Sequence, residues 1–421
     1  MLKSRLCIAF FAFAVGCAPA QKPLTDYVNP MLGTATLWDS VDLGFKPTKR
    51  TWGAEVFPGS SLPNAMVQVS PVTKFHSGAG YQYEDSVIYG FTHTNKGHWN
   101  LCHIPLLPVT GTPTPGDYCS PFSHERESAA PGYYQVFLDR YGVDAQLSST
   151  LRCAFHKYTY PAGAAPAVLA DLQRSNEHVR AWDIRKEGDN VFAGWQQTGE
   201  KMYFYAVANR PVTGIEPVVE GDREVRIVRF GEGDGALELR IGFSFVSEKN
   251  ARENLEAEML GKSFAEVRSE ATATWNDLLG RIRVEGGTER EKGLFYSSLY
   301  RSFLWPALRS DVNGEFTDVD GKVINPGFRY YTGPSYWDDY RNKLILLGML
   351  APDVAADVIS SDVDKGEKRG GFMPTFFHGD HASAFVAGTY LRGNRGFDVN
   401  RAYNLVLRNA TVQGPSRPWL D

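Results

Sequence analysis

The apolar residues of this chain change their spacing once, near residue 247, and that change restricts the fold to a β domain followed by an α domain. From about residue 130 to 247, polar and apolar residues alternate in short runs: Tyr133 to Leu138, Gln146 to Tyr160, Lys201 to Ala208, Glu224 to Phe230 and Ala236 to Val246. A period of two sends alternate side chains to one face, so these runs are expected to be strands, punctuated by Gly, Pro and Asn. No stretch of helical period interrupts them, and an antiparallel β-sandwich buries one face of each. Past the change, Phe264, Val267, Ala271, Trp275 and Leu278 recur at three- and four-residue spacing, which lines them along one side of a helix. A second helix is expected from about Thr288, with Phe295, Leu299 and Phe303 aligned, and others from Ser335, Pro352, Gly379 and Asp398. Asp398 is a capping residue, and Val399, Ala402 and Val406 share a stripe behind it. Successive helical pairs fit a toroidal α/α barrel.

Charge narrows the partners. The chain has 44 basic and 48 acidic residues, a formal charge of −4, which gives no electrostatic reason to expect nucleic acid or an anionic membrane surface as partner. A neutral substrate is expected instead. Residues 1–20 read as an export signal: Lys3 and Arg5, the apolar run Ile8 to Val15, then small residues, too short a stretch to span a bilayer. Ala18-Pro19-Ala20 has the form of ordinary signal cleavage, whereas Val15-Gly16-Cys17 resembles a bacterial lipobox with Cys17 acylated. The lipoprotein form is preferred, which places the protein in the periplasm or on the outer membrane of a bacterium. Cys102, Cys119 and Cys153 remain, an odd number without CxxC spacing, which argues against a metal cluster. One disulfide is permitted in an oxidising compartment, and at least one buried free thiol is expected.

Several ordered motifs carry a family resemblance. Tyr27-Val28-Asn29-Pro30-Met31-Leu32-Gly33-Thr34 is followed by Phe57-Pro58-Gly59-Ser60, by Pro63-Asn64-Ala65-Met66-Val67-Gln68-Val69-Ser70-Pro71 and by Gly90-Phe91-Thr92-His93-Thr94. Phe122-Ser123-His124 with Glu127, Pro131-Gly132-Tyr133-Tyr134, the helix around Trp275, Trp337-Asp338-Asp339-Tyr340-Arg341 and Gly379-Asp380-His381-Ala382 continue the series. The chain resembles glycoside hydrolase family 92, the exo-acting, calcium-dependent α-mannosidases. The resemblance implies an N-terminal β-sandwich, a helical linker and an (α/α)₆ barrel, with a mannose-containing glycan bound where the domains meet. The divisions expected are 24–247 for the sandwich, 248–284 for the linker and 285–421 for an incomplete barrel.

It also implies an inverting mechanism, with a glutamic acid protonating the leaving oxygen and an aspartate activating water, and Ca²⁺ binding the 2- and 3-hydroxyls of mannose. The family's acid lies in a later Leu-Glu-Tyr-type segment and its base in a later Gly-Asn-Asp-type segment. Neither occurs in this sequence, so no catalytic acid, base or metal ligand is assigned to it, and an inactive fragment is expected.

The residues present suggest substrate contacts. Asp338 matches the aspartate of the family's WDxxR segment and would accept two sugar hydroxyls; Ser335, three residues earlier, offers a capping pair as the plainer explanation. Arg341, one turn on, is expected to orient Asp338. Trp337 would stack on a pyranose or pack in the core. Asp380 and His381 lie near the active-site mouth by resemblance, or serve as a helix cap and a hydrogen-bonded core histidine. The polar stretch Thr92 to Asn100 departs from the family pattern at Lys96-Gly97-His98-Trp99; it is expected to form a subsite in which Trp99 stacks and His98 or Lys96 meets hydroxyls or phosphate. His93 is expected to be structural. Glu55 with Glu127, or Asp311 with Asp318 and Asp320, form the weaker reading of a complete carboxylate pair. A lectin-like glycan-binding module without hydrolysis is the alternative function.

Overall fold

A computed structural model of the chain describes residues 22–36, 44, 54, 56–96, 99–375 and 379–414. The export signal with Cys17, and Glu55, Gly97 and His98, lie outside the described residues. Among the described residues, two large antiparallel sheets form the body of the first domain. One has seven strands in the spatial order Ser60–Ser61, Gln68–Val72, Gly90–Thr92, Leu106–Val109, Ala167–Ala170, Arg223–Phe230 and Val212–Glu220. The other has eight, in the order Ala181–Lys186, Val191–Gln197, Lys201–Ala208, Leu237–Ser244, Cys153–Thr159, Val143–Ser149, Tyr133–Leu138 and Glu127–Ala130. Alternation sets which face is buried: in Lys201–Ala208 the side chains of Met202, Phe204, Ala206 and Ala208 enter the core and those between them do not. The stretch from Gln146 to Tyr160, expected as one run, forms parts of two strands. The polar residues Ser149 and Thr150 turn the chain, and the Thr150 amide donates to the Cys153 carbonyl at 2.9 Å.

Two helices cover the outer face of the eight-stranded sheet: α1 (Glu248–Glu258) and α2 (Phe264–Leu279). Tyr133, Cys153 and Phe155 on the sheet meet Leu255, Met259, Phe264 and Val267 on the helices in a second apolar cluster. The approach is close enough to require glycine: a Cβ on Gly242 would lie 2.1 Å from the Ala251 carbonyl oxygen. Helix α2 begins in a capping box, Ser263 with Glu266, and buries the five residues expected from its spacing. Trp275, fully buried, donates its indole N–H to the Ser61 carbonyl at 2.7 Å and leans on Tyr300, ring centroids 4.4 Å apart.

Helix α3 (Glu289–Ser302) opens with a second capping box, Thr288 with Glu291. It buries Tyr296, Ser297, Leu299 and Tyr300, while Phe303 forms its C-cap. Among the described residues five further helices follow: α4 (Tyr336–Asp339), α5 (Lys343–Leu350), α6 (Pro352–Lys368), α7 (His381–Leu391) and α8 (Val399–Thr411). Pro352 starts α6, where its missing N–H costs nothing, and Asp398 caps α8 by accepting from the Arg401 amide at 3.0 Å. Helix α8 buries Ala402, Leu405 and Asn409, and the expected Val399 and Val406 are partly buried against the same core. Among the described residues no single helix is long and apolar enough to cross a membrane. Cys102, Cys119 and Cys153 are all free thiols, and burial pushes those of Cys102 and Cys153 well up.

Candidate active site

The two domains meet along the segment after α3, and the Pro63-Asn64-Ala65-Met66 motif docks it. Asn64 gives its side-chain amide to the Pro306 carbonyl at 2.8 Å, its backbone N–H to the Phe303 carbonyl, and takes the Leu308 amide at 3.0 Å. Its φ of +53° is one that asparagine tolerates better than most residues. Gln68 adds a bond to the Leu304 carbonyl at 2.9 Å, and Arg152 reaches the Ser310 carbonyl at 2.8 Å while pairing with Glu258 at 2.6 Å. Arg301 donates from α3 to the Phe57 carbonyl at 2.9 Å and also to that of Pro30. The N-terminal motifs are thus buried hydrogen-bonding surfaces between domains.

Beyond this junction, Tyr336 fixes the short helix α4. Its ring is buried, and its hydroxyl donates to Asp362, which Lys365 neutralises at 3.0 Å. With residue 336 turned inward, the 100° step of a helix turns the next two outward. Trp337 is accordingly 42% exposed and Asp338 is exposed. Ser335 donates its hydroxyl to the Asp338 carboxylate at 2.6 Å, although its side chain does not cap the helix backbone. The guanidinium of Arg341 lies 4.9 Å from the Tyr340 ring centroid; Ser335 is what holds Asp338. Asp339, which the sequence reading passed over, forms an ion pair with Lys343 at 3.2 Å. Burial raises the Asp339 carboxyl and lowers the Lys343 ammonium from their ordinary values, each against the pull of the other. Their i,i+4 spacing was the available signal.

Tyr340 brings the second expected segment alongside. It stacks on His381, ring centroids 4.2 Å apart and planes 12° apart. His381 is the first residue of α7, and Asp380 is the cap of that helix, accepting from the Ser383 amide at 3.3 Å, from the Ser383 hydroxyl and from Asn409 at 3.1 Å. These bonds engage both carboxylate oxygens of Asp380 in holding the helix start. Next to the stack lies a cavity of about 340 Å³ with Tyr340, Arg341, Leu344, Ile345, Ala384, Phe385 and Arg392 around it. Tyr340 thus belongs both to the stack with His381 and to the cavity, while Trp337 and Asp338 stand exposed three and two residues before it.

The expected loop around Trp99 is a hairpin, Asn95–Lys96 paired with Trp99–Asn100. Its base is closed by the Leu101 amide donating to the Thr94 carbonyl at 3.1 Å, and it rests on the 175–177 loop through Ser175 and Asn176, both donating to Leu101. His93 beneath it is fully buried, 2.9 Å from His156 between Nε2 atoms, and burial holds its pKa down to about 3. His103 contacts Thr94 and Thr198 and holds the Glu177 carboxyl down to about 2.

Three of the carboxylates considered for an internal catalytic pair, Glu127, Asp311 and Asp318, have structural work. Glu127, with a side chain 1% exposed, accepts from Tyr81 at 3.0 Å, Tyr134 at 2.5 Å and His124 at 2.6 Å. Asp311 is buried against Ser244, Asn250 and Asn254 at 2.6, 2.9 and 2.7 Å. Asp318 binds Lys368 at 2.9 Å and the amides of Asp320 and Lys322. Among the described residues no three His, Cys, Asp or Glu side chains converge as a metal site would need. The described residues do not fit a calcium cage, and none of them is assigned to one.

Comparison with known proteins agrees with this geometry. The model of the glycosyl hydrolase family 92 N-terminal domain matches residues 27–253, and that of the family 92 catalytic domain matches residues 250–420. A family GH92 α-mannosidase from Bacteroides thetaiotaomicron superposes with a TM-score of 0.82 at 25% identity, over 91% of this chain and 56% of that one. Its complex with mannoimidazole gives the same TM-score at 26% identity, over 91% and 55%. An "uncharacterized secreted glycosidase" of Arthroderma benhamiae is 24% identical over 92% of this chain and 52% of its own length. The chain spans about half the length of these relatives. A sandwich, a docking helix pair and a helical domain, in that order, define a two-domain glycoside hydrolase architecture. The chain belongs to glycosyl hydrolase family 92.

Proposed function

We propose that the protein is an exported exo-acting α-mannosidase that releases mannose from α-1,2-linked glycans by an inverting, calcium-assisted reaction, and that this chain supplies part of its sugar-binding wall. The observation that carries the reading is the surface where Trp337 and Asp338 stand outward beside the Tyr340–His381 stack. An aromatic face covers the apolar side of a pyranose, and a carboxylate accepts two adjacent hydroxyls. His381, with Asp380 fixing its helix, supplies a further donor or acceptor, and Arg341 borders the neighbouring cavity. Trp99 and His98 contribute to the subsite beyond the cleaved bond. The α-mannosidase relatives and the secreted glycosidase support both the substrate class and export, with a lipid anchor at Cys17 as the means of attachment.

Because Glu127, Asp311 and Asp318 are each bound up in the fold, we assign no acid or base here. The 421 residues by themselves are expected to bind mannosides without hydrolysing them. Calorimetric titration with α-1,2-mannobiose, with and without calcium, tests this in the wild-type chain and in Asp338→Ala. The expected result is weak binding, lowered about tenfold by the substitution through loss of charge-assisted hydrogen bonds. Identical heats for the two proteins would remove Asp338 from the site, and mannose release by the chain alone would overturn the carboxylate assignments. Turnover by a longer polypeptide bearing the Leu-Glu-Tyr- and Gly-Asn-Asp-type segments would separate the enzyme from the lectin-like reading, which the same engaged carboxylates favour.

A further inference from the structure

A second pocket, of about 630 Å³, lies in the first domain and shares no residue with the surface just described. It opens beside Ala181–Lys186, an edge strand of the eight-stranded sheet: Gln173 and Arg174 follow the strand Ala167–Ala170, Val179 to Trp182 lead into that edge strand, and Arg223 begins the inner strand Arg223–Phe230. The lining contains three guanidinium groups and no carboxylate.

Each guanidinium has a different state. Arg223 is committed, since it binds Asp171 at 2.5 Å, and Asp171 is fully buried and also accepts from Tyr118 at 2.6 Å. Arg174 lies over two aromatic rings, 4.4 Å from the Phe75 centroid and 5.0 Å from that of Tyr89. Its one described hydrogen bond is to the Tyr118 hydroxyl at 3.3 Å. A guanidinium carries five N–H donors, so Arg174 keeps several for a ligand in an orientation its neighbours have already fixed. Arg180 is exposed and has no side-chain partner among the described residues. Gln173 uses its carbonyl oxygen on the Glu224 amide at 2.8 Å, which leaves its NH₂ as a donor. Trp182 is half-buried, with Arg226 over its ring at 5.3 Å and Arg226 itself neutralised by Glu224 at 2.7 Å. The nearby Asp183 is taken by Arg185 at 3.1 Å.

The pocket therefore offers donors without competing acceptors, two unneutralised cations and an indole. We propose that it is an accessory glycan site for a pyranose bearing an oxyanion substituent, with Arg174, Arg180 and Gln173 holding the anionic group and Trp182 the ring. Planar guanidinium groups bind phosphate, sulfate and carboxylate by paired hydrogen bonds, and an indole face accepts a sugar. The net charge of −4 hides this local excess of positive charge. Such a site would keep the protein on acidic polysaccharide while neutral sugar is processed elsewhere.

Calorimetry of the full chain at low ionic strength tests it with four probes: mannose 6-phosphate, glucuronate, methyl α-mannoside and inorganic phosphate. Mannose 6-phosphate, glucuronate or both should bind, more weakly as salt is added, and Arg180→Glu should reduce that binding about tenfold or more. Arg180 is exposed, so the variant is expected to melt at the wild-type temperature, and a matching melting curve shows that lost binding is not lost folding. Binding of both charged sugars indicates recognition of the oxyanion as such, and binding of one identifies which. The proposal is overturned if neither binds at millimolar concentration, if Arg180→Glu lowers the binding of methyl α-mannoside as much as theirs, if inorganic phosphate alone matches mannose 6-phosphate, or if Arg180→Glu binds unchanged.

Discussion

Tyr340 and His381 lie face to face, 4.2 Å apart between ring centroids, and this stack joins the segment carrying Trp337 and Asp338 to the start of α7. The two segments are separate in the chain, and each is held from behind by its own anchor, Tyr336 on Asp362 and Asp380 on Ser383 and Asn409. The stack sets their spacing.

His381→Ala is expected to lower stability by about 1 kcal/mol, the worth of an aromatic pair, and to weaken mannoside binding. His381→Phe should restore the stability while leaving binding weak, because phenylalanine stacks but has no ring nitrogen for a hydroxyl. Thermal melts and calorimetry of both variants check this, and full mannobiose affinity in His381→Phe would reduce His381 to a strut.

Asn64→Ala removes a buried bond to the Pro306 carbonyl and places alanine at a left-handed φ. The combined cost is expected to be about 2–4 kcal/mol. Asn64→Gly, which tolerates the backbone, should lose less. Chemical denaturation would give the ordering, and limited proteolysis should cut the variants first between the domains. An alanine variant as stable as the glycine one would contradict the role of the backbone conformation.

Glu127→Gln exchanges a carboxylate that accepts from two tyrosines and His124 for an amide whose NH₂ faces the same donors. A loss of about 2–3 kcal/mol is expected. The effect should appear in the melting temperature and leave mannobiose binding by the folded protein unchanged, whereas a binding defect without destabilisation would return Glu127 to the site.

Acid should destabilise the sandwich from a predictable pH. His93 is held from its ordinary 6.5 down to about 3 by burial, so between those values the unfolded chain binds the proton and the folded one does not. The stabilisation is complete above pH 6.5 and is lost on the way down at about 1.4 kcal/mol per pH unit. Glu177, held from 4.5 down to about 2 by the His103 side chain, acts in the same direction at lower pH. Melting temperatures from pH 7 to 4 should fall more steeply in the wild type than in His93→Gln, and parallel curves would show that His93 does not titrate on unfolding.

Periodicity alone marked the order of the two domains, the inward face of Lys201–Ala208 and of α2, and the starts of α3 and α8, because alternation and capping are local properties of the backbone. The Trp337-Asp338 segment was marked by its match to the family's WDxxR pattern and not by periodicity. What the sequence left undecided was which polar residues are already satisfied. Asp338 and Asp380 look alike as letters beside a helix start, yet one stands exposed on a serine and the other is enclosed by Ser383 and Asn409. Only the packed chain settles such cases, because partners of a buried charge come from distant parts of the sequence, as Asn409 does for Asp380 and Tyr134 for Glu127. The arginine pocket beside the edge strand Ala181–Lys186 belongs to the same class: its members fall in three separate stretches of sequence, and the fold brings their charges together.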